Sequence, residues 1–203
     1  MTSIEVVDLV VGYESKPLAT VGSFRVQPGH VTVITGPNGS GKTTLLKTLA
    51  GLLTPVKGRI VPELPRGPHG TVFVHSQPYL FAGTVGHNVQ LTSKEDQERA
   101  RDALRALGVE PLWAEGVRRL STGQRQRVAI ARALAAQPLL LLIDEPEGGL
   151  DVEGASSWRR IVEQAVSDGR PAIVIATHQA SALGDLPLNV IELNGHERTR
   201  PHL

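Results

Sequence analysis

Gly36-Pro37-Asn38-Gly39-Ser40-Gly41-Lys42-Thr43 fits the pattern G-x-x-x-x-G-K-[ST], with which a chain wraps its backbone around the phosphates of a nucleotide. Glycines let backbone N–H groups converge on an anion, and the N-terminus of a following helix adds partial positive charge. Lys42 then reaches the β and γ oxygens, and Thr43 offers a hydroxyl to Mg²⁺. A second set stands at Leu139 to Ile143, an apolar run that ends in Asp144 and Glu145. Ligands bind at the open end of parallel sheets, so Asp144 at the strand tip is expected to complete a magnesium shell. Glu145, placed on the opposite face by strand alternation, is expected to orient or deprotonate a water. The third set is Leu120-Ser121-Thr122-Gly123-Gln124 ahead of a helical stretch from Arg125 to Ala136. Ser121 is a natural N-cap, and that helix N-terminus is a second anion site. Two phosphate-directed sites and one magnesium site in one chain are reconciled by a symmetric dimer. The capped helix of one subunit then closes over the nucleotide held by the other.

These residues need elements to hold them. Val31 to Thr35 is a β-rich run that stops at Gly36, and Thr43 to Leu53 is rich in helix formers, so the glycine loop joins a strand to a helix. Thr71–Val74, Leu139–Ile143, Ala172–Ala176 and Asn189–Leu193 are short apolar runs with little polar alternation, as in a parallel sheet covered on both faces. Between them, Ala100, Ala103, Leu104 and Leu107 follow a helical spacing, with Ser93 as N-cap and Gly108 as the stop. Trp158, Ile161, Val162, Ala165 and Val166 repeat that stripe. The first thirty residues differ: Ile4–Val11 and Ser23–Val26 read as short strands joined by Gly12, Pro17 and Gly22, an antiparallel layer beside the main sheet. A further strand is expected at Arg59–Val61 within a proline-rich stretch.

The 203 residues fit one α/β domain. The 21 Lys and Arg against 20 Asp and Glu leave a net charge of +1, so no global field draws the chain to nucleic acid or anionic lipid. Zero cysteines exclude disulfides, thiolate zinc sites and a cysteine nucleophile. The opening Met1 to Glu5 has no basic stretch before an apolar one, so no secretory leader is expected. No apolar run approaches the roughly 18 residues that cross a bilayer.

Together the motifs resemble the nucleotide-binding domain of ABC-type ATPases, from Ile4 to about Leu193. The resemblance implies a P-loop NTPase fold: a mainly parallel sheet with flanking helices, an N-terminal antiparallel β layer and a small helical subdomain at about 78–135 within a single domain, 1–203. Gly36 to Thr43, with Thr44 beside it, is similar to the family's Walker A motif, and Leu139 to Glu145 to Walker B with its catalytic glutamate. Leu120 to Gln124 resembles the signature L-S-G-G-Q, Gln77 the Q-loop glutamine that contacts Mg²⁺ or the lytic water, and Asp151 the D-loop aspartate at the dimer seam. His178 corresponds to the switch histidine on the γ-phosphate, and Tyr13 falls where the family stacks an aromatic on adenine. His75 reads as a neighbour of Gln77. Thr122 stands where the signature has glycine, and Glu147-Gly148-Gly149 lacks the family's D-loop serine.

The resemblance further implies ATP and Mg²⁺ as ligands, a second ATP-binding subunit, and a separate transmembrane permease docking near Pro78 to Val85. That places the chain peripherally on the cytoplasmic face of a membrane. Gly83-Thr84-Val85 and Asn88-Val89 resemble export-type domains and tilt the reading toward efflux. Two other readings fit less well. A soluble ABC ATPase of nucleic-acid metabolism or translation carries coiled-coil insertions or tandem cassettes, and one P-loop in 203 residues leaves room for neither, so no nucleic-acid partner is expected. A small P-loop kinase does not account for Leu120 to Gln124.

Overall fold

A computed structural model describes residues 3–14, 16–93, 96–146, 171–178 and 188–194. The helical stripe at Trp158 to Val166, Asp151 and the Glu147-Gly148-Gly149 stretch lie outside these described residues.

Two sheets organise the described chain. Strands β1 (Ile4–Tyr13), β2 (Lys16–Val26) and β4 (Lys57–Val61) form an antiparallel sheet in the order β2-β1-β4. Strands β3 (Val31–Thr35), β5 (Thr71–Val74), β6 (Leu140–Asp144), β7 (Ala172–Ala176) and β8 (Leu188–Glu192) form a parallel sheet in the order β5-β6-β7-β3-β8. The expected main sheet and antiparallel layer are both present. The first hairpin differs from its sequence reading, because Pro17 and Gly22 lie inside β2 rather than between strands. β2 is an edge strand, so the N–H that Pro17 lacks is not missed, and Gly22 (φ 80°) faces Leu9 where the register shifts.

The parallel strands separate two buried faces. Val33, Leu141, Ile143, Ile173 and Ile175 pack toward one cluster with helices α2 (Val85–Gln90), α3 (Gln97–Ala106) and α4 (Thr122–Ala135). Ile34, Leu140, Leu142, Val174 and Ala176 pack toward the other, with helix α1 (Lys42–Leu49) and the antiparallel sheet. Every residue of β6 is buried, and each leucine removed from water stabilises the fold by about 2 kcal/mol.

Helix boundaries show where local chemistry decided. The cap of α3 is Asp96, whose carboxylate accepts the Arg99 N–H at 2.8 Å. Ser93, expected there, is instead buried, with its hydroxyl 3.4 Å from the Val89 carbonyl. Gly108 (φ 67°) follows just beyond the end of that helix, as expected. Helix α2 is additional to the elements read from sequence. Its cap is Thr84, whose hydroxyl accepts the His87 N–H.

Candidate active site

The loop from Gly36 to Gly41 links the end of β3 to the start of α1. Gly36 (φ 142°) and Gly41 (φ 100°) hold left-handed conformations that L side chains resist. A Cβ on Gly36 would also stand 2.5 Å from the Leu193 carbonyl oxygen. No side chain caps α1, so its first N–H groups stay available to an anion. Lys42 is buried, and its Nζ donates to the carbonyls of Gly36 (2.9 Å) and Pro37 (3.1 Å). The Ser40 hydroxyl is also buried and has no partner. An orphaned buried hydroxyl and a buried ammonium beside uncapped helix N–H groups suit an anion such as phosphate.

In the first turn of α1, the Thr43 hydroxyl lies 2.9 and 3.2 Å from the two carboxylate oxygens of Asp144, the last residue of β6. Asp144 is 2% exposed, and burial raises its pKa above the ordinary carboxylate value; the Thr43 hydrogen bond, His75 and Lys42 pull it back down, while Glu145 adds to the rise. A hydroxyl and a carboxylate are hard oxygen donors, so the pair suits Mg²⁺, which takes few protein ligands and completes its shell with water and phosphate. Because the carboxyl is easier to ionise unfolded than folded, ionising Asp144 costs the metal-free protein stability as pH rises through its raised pKa. Asp144→Asn should therefore raise the metal-free melting temperature at pH 7 and erase the stabilisation that MgATP confers. A melting temperature that falls and still responds to MgATP would contradict this assignment.

Glu145 does not continue β6 onto the opposite face, as strand alternation predicted. It leaves the strand with φ 45°, and its N–H donates to the Ala176 carbonyl at 2.8 Å. His178, two residues past β7, brings its Nε2 to 2.7 Å from Glu145 Oε1, each side chain being 37% exposed. A carboxylate and an imidazole in contact at a sheet edge are equipped to hold and move a proton. Tyr13 reaches the start of α1 from the end of β1: its hydroxyl accepts from the Thr44 hydroxyl at 3.2 Å, with the residue about half exposed. Pro37, Asn38 and Gly39 are the exposed rim of the loop.

Other expected residues sit apart. Gln77 is exposed, and its backbone N–H donates to His75 Nδ1 at 3.1 Å. His75, which the sequence reading makes a neighbour of Gln77, also favours the ionised form of Asp144. Parallel pairing of Val74 with Ile143 puts His75 level with Asp144, and that register was the available signal. Ser121 accepts the Gln124 N–H (3.2 Å), and the Gln124 side chain accepts the Ser121 N–H (2.9 Å), a complete capping box at the start of α4. Thr122 occupies the first helical turn, exposed, and Gly123 is buried. No hydrogen bond joins Ser121 through Gln124 to the glycine loop among the described residues.

The chain also resembles known proteins. A family model described as ABC transporter matches residues 20–148. A zinc import ATP-binding protein of Roseobacter denitrificans is 34% identical over 97% of this chain and 77% of its own length. An Fe(3+) ions import ATP-binding protein of Yersinia pestis is 32% identical over 90% of this chain, which spans 57% of that relative. The solved structure of cbiO1 from Clostridium perfringens, part of an ABC transporter complex, superposes with a TM-score of 0.74 at 30% identity, covering 86% of this chain and 78% of the other. These relatives give no support to the lean toward export. A triphosphate-shaped loop beside a buried hydroxyl–carboxylate pair, in a chain that matches so much of these proteins, identifies it as a member of the ABC transporter family of ATP-binding subunits, which are ATPases coupled to transport.

Proposed function

We propose that two copies of this chain, or this chain and a sister, sandwich ATP and that closure drives an inward-moving permease. In this reading the backbone of Gly36, Pro37, Asn38, Gly39, Ser40 and Gly41 cradles the phosphates, with Thr43 and Thr44 at the helix start. Lys42 swings from its own carbonyls to the β and γ oxygens, and Tyr13 stacks on adenine. Thr43 and Asp144, with Gln77, would hold Mg²⁺, which when bound would neutralise phosphate charge. Glu145 positions the attacking water and accepts its proton, while His178 holds Glu145 in register with the γ-phosphate. Ser121, Thr122, Gly123 and Gln124 of the opposite copy complete the site, and Asp151 lies at the seam. The observation that carries the chemistry is the 2.7 Å Glu145–His178 contact at the sheet edge that also holds Thr43 and Asp144.

Among the described residues no helix is long and apolar enough to cross a membrane. A permease on another chain, and a place for this one on the membrane's cytoplasmic face, are supported by the likeness to ATP-binding subunits of importers. The loop from Pro78 to Val85 is the proposed docking edge. Inward transport is supported by the zinc and Fe(3+) import ATP-binding proteins among the relatives. Turnover per chain should rise with protein concentration to a plateau, and Ser121→Ala should lower that plateau roughly 10²-fold. A phosphate-release rate indifferent to concentration and to Ser121 would overturn the paired site.

A further inference from the structure

Asn88 is completely buried in α2, and its amide is fully engaged. Its Nδ2 donates to the carbonyls of Phe81 (2.9 Å) and Thr84 (3.0 Å), and its Oδ1 accepts the Phe81 N–H at 2.8 Å. Arg132, in the last turn of α4, donates through Nη2 to the Tyr79 carbonyl (2.8 Å) and through Nη1 to Asn88 Oδ1 (3.4 Å). Its guanidinium also lies 5.6 Å from the centre of the Phe81 ring, and its own carbonyl accepts the Thr92 hydroxyl at 2.8 Å. Between these contacts Leu80 is buried, whereas Tyr79 is 70% and Phe81 48% exposed, their rings edge to face at 5.2 Å. They border a cavity of about 350 Å³ with Phe73, His75, Arg132 and Ala133. Two exposed aromatic rings are thus held in place by hydrogen bonds to the backbone beneath them rather than by their own burial.

The same helix carries both ends of the arrangement. α4 runs unbroken from the Ser121 cap past Arg132, about 16 Å at 1.5 Å per residue, so a displacement at one end is carried to the other. We propose that Arg132, with Asn88, is a positioning clamp that makes the Tyr79–Thr84 edge and the Ser121 end of α4 one body, so that nucleotide capture at Ser121 is transmitted to the exposed aromatic edge. The transmission half rests on the reading that Ser121 closes over ATP. Arginine suits the task because its planar fork spans two acceptors at once, which a lysine ammonium does not do with the same geometry.

Hydrogen exchange measured by mass spectrometry on the full chain tests this, with MgATP as the probe in the Glu145→Gln background. Without nucleotide, Arg132→Ala should speed exchange across residues 79–84 about ten-fold while the amides of α4 change less than about two-fold. Arg132→Lys should fall between the two. With MgATP, exchange over 79–84 should slow in the parent and stay unchanged in Arg132→Ala, although size exclusion shows the ATP-bound dimer forming in both. The clamp is overturned if Arg132→Ala leaves residues 79–84 unaltered without nucleotide, or if their response to MgATP survives the substitution. A parent that forms no dimer with MgATP refutes the paired-site reading instead, and with it the transmission half; the nucleotide-free comparison still decides the clamp.

Discussion

Glu145→Gln should bind ATP, hydrolyse it roughly 10²–10⁴-fold more slowly, and accumulate as an ATP-bound dimer. The amide keeps the size of the side chain and an oxygen within reach of His178, now 2.7 Å from Glu145 Oε1, but it has no basic oxygen for a water proton. Nothing in the phosphate cradle changes, so affinity is retained and only the chemical step is blocked. The same left-handed backbone must be adopted by either residue, so the fold should tolerate the exchange. Single-turnover phosphate release, nucleotide binding and size exclusion on one preparation separate these effects. Near-normal hydrolysis in that variant would remove Glu145 from the water-activating role.

Lys42→Ala should abolish nucleotide binding at millimolar ATP and lower turnover about 10³-fold, the upper end for removal of one transition-state charge partner. Lys42 is buried, and its hydrogen-bond partners among the described residues are the carbonyls of its own loop. Those acceptors lie partly at the surface, where water replaces the ammonium, so the fold without nucleotide should be retained within about 1 kcal/mol. The readout is the rise in melting temperature with MgATP. Saturation at 100 times the dissociation constant gives about 2.7 kcal/mol of stabilisation in the parent, and the variant should show none. Unchanged stabilisation would place the phosphates elsewhere.

Strands β3, β6 and β7 were legible because they are buried on both faces and read as unbroken apolar runs, so Val31 to Thr35 and Ala172 to Ala176 fall where the periodicity puts them, whereas β8 at the sheet edge is largely exposed. The hairpin was less so, since proline and glycine signal turns in general and only the edge position of β2 makes Pro17 and Gly22 acceptable inside a strand. Ser93 and Asp96 are both good caps three residues apart. The choice fell to burial, which sequence does not show. Within the site, loop and strand-end residues were found from their types, whereas His75 depended on register between two strands. The lean toward export rested on Gly83-Thr84-Val85 and Asn88-Val89. Thr84 caps a helix and Asn88 ties down the loop before it, so these residues build a local structure and carry no information on direction.

Glu145 occupies a backbone region that costs a non-glycine residue about 1–3 kcal/mol. A chain selected for durability alone would have glycine or asparagine there, trading the reactive carboxylate for a relaxed corner. Libraries screened for thermal resilience without an activity filter should thus erode this position early, and survivors would be sturdy and inert.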